Sequence, residues 1–176
     1  MNRHLRSRAA ALALAIGTAA CSPALNWREV PMQGLVALLP CKPDHAERQL
    51  QLGPSGVTLR MSGCEASGAL YAISHVRVVD PAQLQATHMA WRQATLAAMQ
   101  ATAVPVTVPP PSTLTGGQSQ SALNPEKLVG KRPDGSAVQA QLIWLNKGQD
   151  IYHVAVYGST LQPEMTEMLF SELSPR

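Results

Sequence analysis

The chain has 176 residues, of which 45% are hydrophobic and only 4% aromatic, a length that suits one ordinary domain with a single core. Its formal charge of +3 comes from 14 Lys and Arg against 11 Asp and Glu, yet Arg3, Arg6 and Arg8 sit at the very start, and without them the two signs balance. A neutral chain poor in aromatic rings lacks both the basic footprint and the stacking platforms of a nucleic-acid binder, so nucleic acid is set aside as a partner, and nothing in the charge calls for anionic lipid.

In chain order, Met1–Arg8 carries three arginines and no acid, and Ala9–Ile16 is an uninterrupted apolar run. That run matches the central region of a secretory signal and is too short to span a bilayer. Gly17-Thr18-Ala19-Ala20 then leads into Cys21, which resembles the lipobox of bacterial lipoproteins, with Thr18 where leucine is usual. Residues 1–20 are therefore expected to be a signal peptide, Cys21 a lipidated first residue, 21–26 a short tether and 27–176 one domain. The same small residues would serve an ordinary signal peptidase, so plain secretion into the periplasm stands as the alternative. An exported chain with three cysteines needs a use for the odd one, and lipidation supplies it. Ser22 follows Cys21; lipoproteins without Asp there are sorted to the outer membrane, which places the expected domain on that membrane, facing the periplasm.

In an oxidising compartment Cys41 and Cys64 are the two thiols left to pair. A loop of that length would contribute about 3 kcal/mol on the chain-entropy account. The alternatives are a redox pair, which usually has close spacing beside a helix N-terminus, and a metal site, which would need further ligands such as His45 or His75.

Trp27–Leu39 reads as two short strands around a turn, ended by Pro40-Cys41-Lys42-Pro43. Gln49–Leu52 and Val57–Met61 flank Gly53-Pro54-Ser55-Gly56, which predicts a hairpin, and Ala69–Val79 reads as a mostly buried strand. Asp80-Pro81 is a helix start, and Leu84, His88, Trp91, Thr95 and Ala98 form the expected core-facing stripe of a helix running to about Ala101. Residues 104–125, rich in Pro, Ser, Thr and Gly and including Pro109-Pro110-Pro111, read as a flexible excursion or else a binding loop. Pro133-Asp134-Gly135 is a turn, Ala137–Leu145 and Ile151–Tyr157 form a second hairpin, and Pro163 opens a last helix with Thr166, Leu169, Phe170 and Leu173 on one face.

This order implies an α+β fold: an antiparallel sheet with a long central helix and a C-terminal helix packed on it. The stretch Val36-Ala37-Leu38-Leu39-Pro40-Cys41-Lys42-Pro43, the Asp80-Pro81 helix, the Tyr152-His153-Val154 strand and the closing Leu169-Phe170-Ser171-Glu172-Leu173 resemble an exported bacterial family of uncharacterised proteins. Its members carry Phe-Pro-Gly-Lys-Pro near the start and a Tyr-x-Val strand before the last helix. Its layout resembles the α/β/α sandwich of the PsbP-like proteins. Cys41 stands at the glycine of that first segment, which fits a disulfide with Cys64 peculiar to a subgroup. The resemblance implies a binding or assembly factor and brings no catalytic residue.

The chain contains no G-x-S-x-G, H-E-x-x-H, Walker or G-x-G-x-x-G motif. His88 reads as a packed histidine on its helix. His75 and His153 each sit in a strand and could face each other across the sheet. Lys131-Arg132 reads as part of a polar turn. The expectation is an envelope lipoprotein that acts as a non-enzymatic binding or assembly module with an envelope protein partner and no cofactor. The alternative is a periplasmic enzyme or metal-binding protein using the strand histidines or the cysteine pair.

Overall fold

The computed structural model describes residues 25–101, 112–113 and 125–175. The signal segment, Cys21 and most of the 104–125 segment lie outside the described residues.

Ten strands and two helices follow in order: β1 (Arg28–Met32), β2 (Leu35–Leu39), β3 (Asp44–Leu52), β4 (Ser55–Ala66), β5 (Ala69–Arg77), a 3₁₀ turn (Pro81–Gln83), α1 (Leu84–Ala98), β6 (Ser112–Thr113), β7 (Glu126–Lys131), β8 (Ala137–Lys147), β9 (Asp150–Gly158), α2 (Pro163–Ser171) and β10 (Ser174–Pro175). The fold is α+β. Strands β3, β4, β5, β9 and β8 lie side by side in that spatial order, each antiparallel to the next, with a crossover between β5 and β9, and β7 pairs antiparallel along β8. The expected single sheet is corrected in two respects. Strands β1, β2 and β10 form a separate three-stranded sheet, and β6 joins β8 in parallel through Ser112 and Leu145.

Local sequence accounts for these elements. β5 and β9 hold the centre of the large sheet and are covered on both faces, which is why they read as nearly continuous apolar runs. β3 is the outer strand, exposed at every residue but Leu52, and its Asp, Glu and Arg side chains guard that edge. The β3–β4 hairpin is longer than its apolar runs suggested, and its turn is only Gly53-Pro54, with Leu52 opposite Ser55. Gly53 takes φ +60°, and a Cβ there would lie 3.3 Å from Ala90 Cβ of α1, so both conformation and close approach call for glycine. At the helix start, the Asp80 carboxylate accepts a hydrogen bond from Ala82 N at 3.0 Å, with Pro81 in the first position.

The large sheet has a core on each face. On one, β1, β2 and α2 cover Tyr71, Ile73, Ile143, Tyr152, Val154 and Val156. On the other, α1 covers Leu59, Val76, Leu142, Trp144 and Ile151. The buried side of α1 is Thr87, His88, Trp91 and Arg92, rotated from the expected stripe: Leu84 and Thr95 are half-buried, and Ala98 is exposed. Two polar contacts explain the rotation. Thr87 Oγ1 donates to Ser55 Oγ at 2.9 Å, and the Arg92 guanidinium forms an ion pair with Glu126 of β7.

α2 buries Thr166, Leu169 and Phe170, and Leu173 packs just beyond its end, as the spacing predicted. Cys41 and Cys64 form a disulfide, with Cα atoms 5.9 Å apart, that ties the end of β2 to the inner face of β4. Asn26, assigned to the tether by its sequence, already belongs to the fold, since its amide donates to Pro40 O at 2.8 Å.

Candidate functional site

Strand register decides what the candidate histidines can do together. His75 lies opposite Tyr152, and His153 lies opposite Ser74. Alternate residues of a strand point to opposite faces, so His75 joins the α2 side and His153 the α1 side. The expectation that they could share a ligand across the sheet is corrected by this register. Among the described residues, no three His, Cys, Asp or Glu side chains form a group that could hold a metal ion.

His75 donates from Nε2 to Asp150 Oδ1 at 2.8 Å, and Arg77 clamps the same carboxylate at 3.0 Å. Burial pushes the His75 pKa down against the opposing pull of Asp150. The neutral ring then has a bare Nδ1, which is buried without a hydrogen-bond partner among the described residues. Beside it the Tyr152 hydroxyl donates to Gln33 O at 2.6 Å. With no nucleophile against Nδ1, this arrangement pins β5 to β9 and to the β1–β2 turn. His45 is held through Nδ1 by Ser62 Oγ at 2.8 Å, and both cysteines are consumed by each other.

The α1 face is different. Across β4, β5, β9 and β8 the register aligns Met61, Ser74, His153 and Trp144 in one row. Two residues further along, Leu70 and Tyr157 stand side by side. Between these rows runs a line of small residues, Gly63, Ala72 and Ala155. Over this face, beside the C-terminal half of α1, lies a cavity of about 370 Å³, walled by Leu59, Met61, Leu70 and Val138 on the sheet side and by Trp91 and Met99 on the helix side.

The polar groups of the cavity are few. Ser74, Tyr157 and His153 reach it from the sheet, Thr95 from the helix, and Lys131 and Arg132 from the turn after β7. Burial pushes the Tyr157 hydroxyl up to about 12, so it remains a protonated donor. No carboxylate stands among the described lining residues, and residues 101–125 contain no charged residue at all. Asp134, in the same turn, is engaged by Ser136 through both N and Oγ, at 2.9 and 2.7 Å.

Beneath the cavity is a knot of rings. His153 stacks on Trp144 with centroids 4.3 Å apart, and Trp91 and His88 approach Trp144 edge-on at 5.2 and 5.0 Å. Both ring nitrogens of His88, Nε2 of His153 and Nε1 of Trp144 are buried without a partner among the described residues. Edge-to-face ring contacts are the interactions left to them. Burial, helped by neighbouring His88, drives the His153 pKa to about 3, and burial with nearby Arg92 lowers that of His88.

Sequence reasoning read His88 as a packed histidine, which it is, and placed His153 in a strand, where it lies, but missed the cavity above them. Its lining is drawn from β4, β5, β7, β8, β9 and α1, and only the strand register brings those residues together. Lys131 and Arg132 do sit at a polar turn, where Arg132 Nη1 donates to Ala137 O at 3.1 Å, and they also stand at the cavity mouth. A scan of family models and searches of curated proteins and of solved structures each return no match to the chain.

Proposed function

We propose that the chain is an exported envelope lipoprotein, held by an acylated Cys21 on the periplasmic face of the outer membrane, whose domain is a non-enzymatic binding or assembly module. The observation that carries the binding half of this reading is the α1-face cavity, an apolar concavity with a few convergent polar groups, which is the usual form of a ligand site. The sequence supports the anchoring half, through the arginines, apolar run and small residues that precede Cys21. The resemblance in layout to the PsbP-like sandwich is consistent with binding, although a fold by itself is weak evidence for function. An enzyme or metal carrier built on His75, His153 or the cysteines is the less favoured reading. The cysteines are bonded to each other, and the two histidines face opposite sides of the sheet.

Fractionation of the source cells tests the proposal. The chain should sediment with membranes, and its Cys21→Ser variant should appear in the soluble periplasmic fraction. Cross-linking in intact envelopes should then recover one repeatable partner. A chain that stays soluble in its unaltered form, or cross-linking that repeatedly yields nothing, would count against it.

A further inference from the structure

Three features of the cavity define what would occupy it. The first is size. At the roughly 30 Å³ that a water-sized group takes in the liquid, a space of about 370 Å³ holds on the order of a dozen non-hydrogen atoms. That is one short chain or a small ring system, and it is too little for a two-chain lipid. The second is the wall. Met61 and Leu70 are large apolar side chains left 36% and 38% exposed, and both line the cavity. Their exposure is what an apolar guest would remove, and the thioethers of Met61 and Met99 can adapt to its shape. The third is charge. Lys131 and Arg132 are both lining residues, with no carboxylate among the described lining residues, and the Asp134 carboxylate of the same turn, though it attracts Arg132, takes its hydrogen bonds from Ser136. A single anionic head placed there would meet two cations and the Tyr157 hydroxyl.

We propose that the α1-face cavity binds a small single-chain amphipathic anion, a carboxylate of medium acyl length, with its apolar body along Met61, Leu70 and Leu59 and its head at Lys131 and Arg132. This deepens the binding reading above and rests on it, but it does not depend on where the protein resides. The guest lies between the Met61 and Leu70 side chains of the sheet and Thr95 and Ala98 of α1.

The test uses the full chain carrying Cys21→Ser, which prevents acylation and removes the need for detergent. Decanoate, 1-decanol and decyltrimethylammonium are titrated in turn, with the fluorescence of wall residue Trp91 and calorimetry as readouts. Decanoate should bind saturably at one site, at least about tenfold tighter than the alcohol or the cation, since each tenfold step is about 1.4 kcal/mol and a charge-assisted contact is of that order. Lys131→Gln with Arg132→Gln should erase that preference and leave binding of the alcohol unchanged. Both side chains are at the surface, so this variant is expected to fold. Ala98→Trp, at an exposed helix position that lines the cavity, should fill the space and abolish binding of all three, with its melting curve checking that the fold survives. No saturable binding, equal affinity for the three probes, unaltered preference in the double variant, or binding only to vesicles of anionic phospholipid would each overturn the proposal. A positive fractionation result combined with failure here would leave the envelope-module reading standing and remove the ligand.

Discussion

His153 is the most perturbed titratable side chain whose value is defined, and its surroundings give it a signed pH dependence. Its pKa falls from 6.5 to about 3 on folding, chiefly through burial and secondarily through His88. The unfolded chain therefore binds the proton more readily, and stability contributed by the neutral ring is complete above about pH 6.5 and lost as pH falls toward 3. The groups around it act in the same sense or are already paired, since His88 is also lowered and Arg92 is bound to Glu126. Urea unfolding at pH 7, 5 and 4 should show a loss on the order of a few kcal/mol, and His153→Phe should shrink that loss by keeping the stack on Trp144 without the proton site. Identical pH slopes for the two proteins would show that His153 does not titrate as described. The neighbouring prediction concerns Cys41 and Cys64. Reduction should cost about 3 kcal/mol and lower the melting temperature by about 10 °C; a melting curve unmoved by reductant would deny the bridge its structural role. Cysteine pairing was legible in the sequence because, with Cys21 set aside as the proposed acylation site, Cys41 and Cys64 are the two thiols left. The perturbed histidine was not, because its seat between Trp144 and Ser74 is set by strand register, which the unbroken apolar run Ile151–Tyr157 does not reveal.

Between elements, the contact that fixes the cavity is the docking of the α1 C-terminus onto β7. Lys131 N donates to Met99 O at 2.7 Å, and a Cβ on Gly130 would come within 2.2 Å of that same oxygen. Gly130→Ala should therefore destabilise by about 2 kcal/mol or more, with the damage concentrated at this joint and visible as faster amide exchange at Lys131. Unaltered exchange would mean that the joint has another anchor. The Arg92–Glu126 pair is the second bond between α1 and β7, with side chains only 10% and 18% exposed. Arg92→Met should cost about 3 kcal/mol or more by leaving Glu126 buried and alone, and adding Glu126→Leu should recover most of it. Denaturation midpoints of the two variants check this, and a double variant as unstable as the single one would contradict it. The helices, both hairpins and their turns could be read from caps, glycines and prolines. The rotation of α1 could not, because it is set by Ser55 and Glu126, distant residues that helical periodicity does not see. The longer β3 escaped notice because an exposed edge strand full of Asp, Glu, Arg and Gln carries no apolar alternation, and the far half of β4 did so because Ser62, Gly63 and Glu65 interrupt its apolar run.

For the whole molecule, the two faces of the large sheet divide the work. The side covered by β1, β2 and α2 is closed by the disulfide and by the His75–Asp150–Arg77 clamp. The side covered by α1 leaves the cavity, and the binding proposed for the protein is assigned there. Among the described residues no helix is long and apolar enough to cross a membrane, and the attachment proposed for the chain is through Cys21. The α+β class was legible from the order of elements. The split into two sheets was not, because the short β10 that completes the smaller one carries no strand signal of its own. Intact mass spectrometry of the protein purified from the envelope of its source cells tests the anchored-module account most directly. The account predicts a mature chain that begins at Cys21 and carries the added mass of its acyl groups; a chain that retains residues 1–20, or one whose first residue bears no acyl mass, would contradict it.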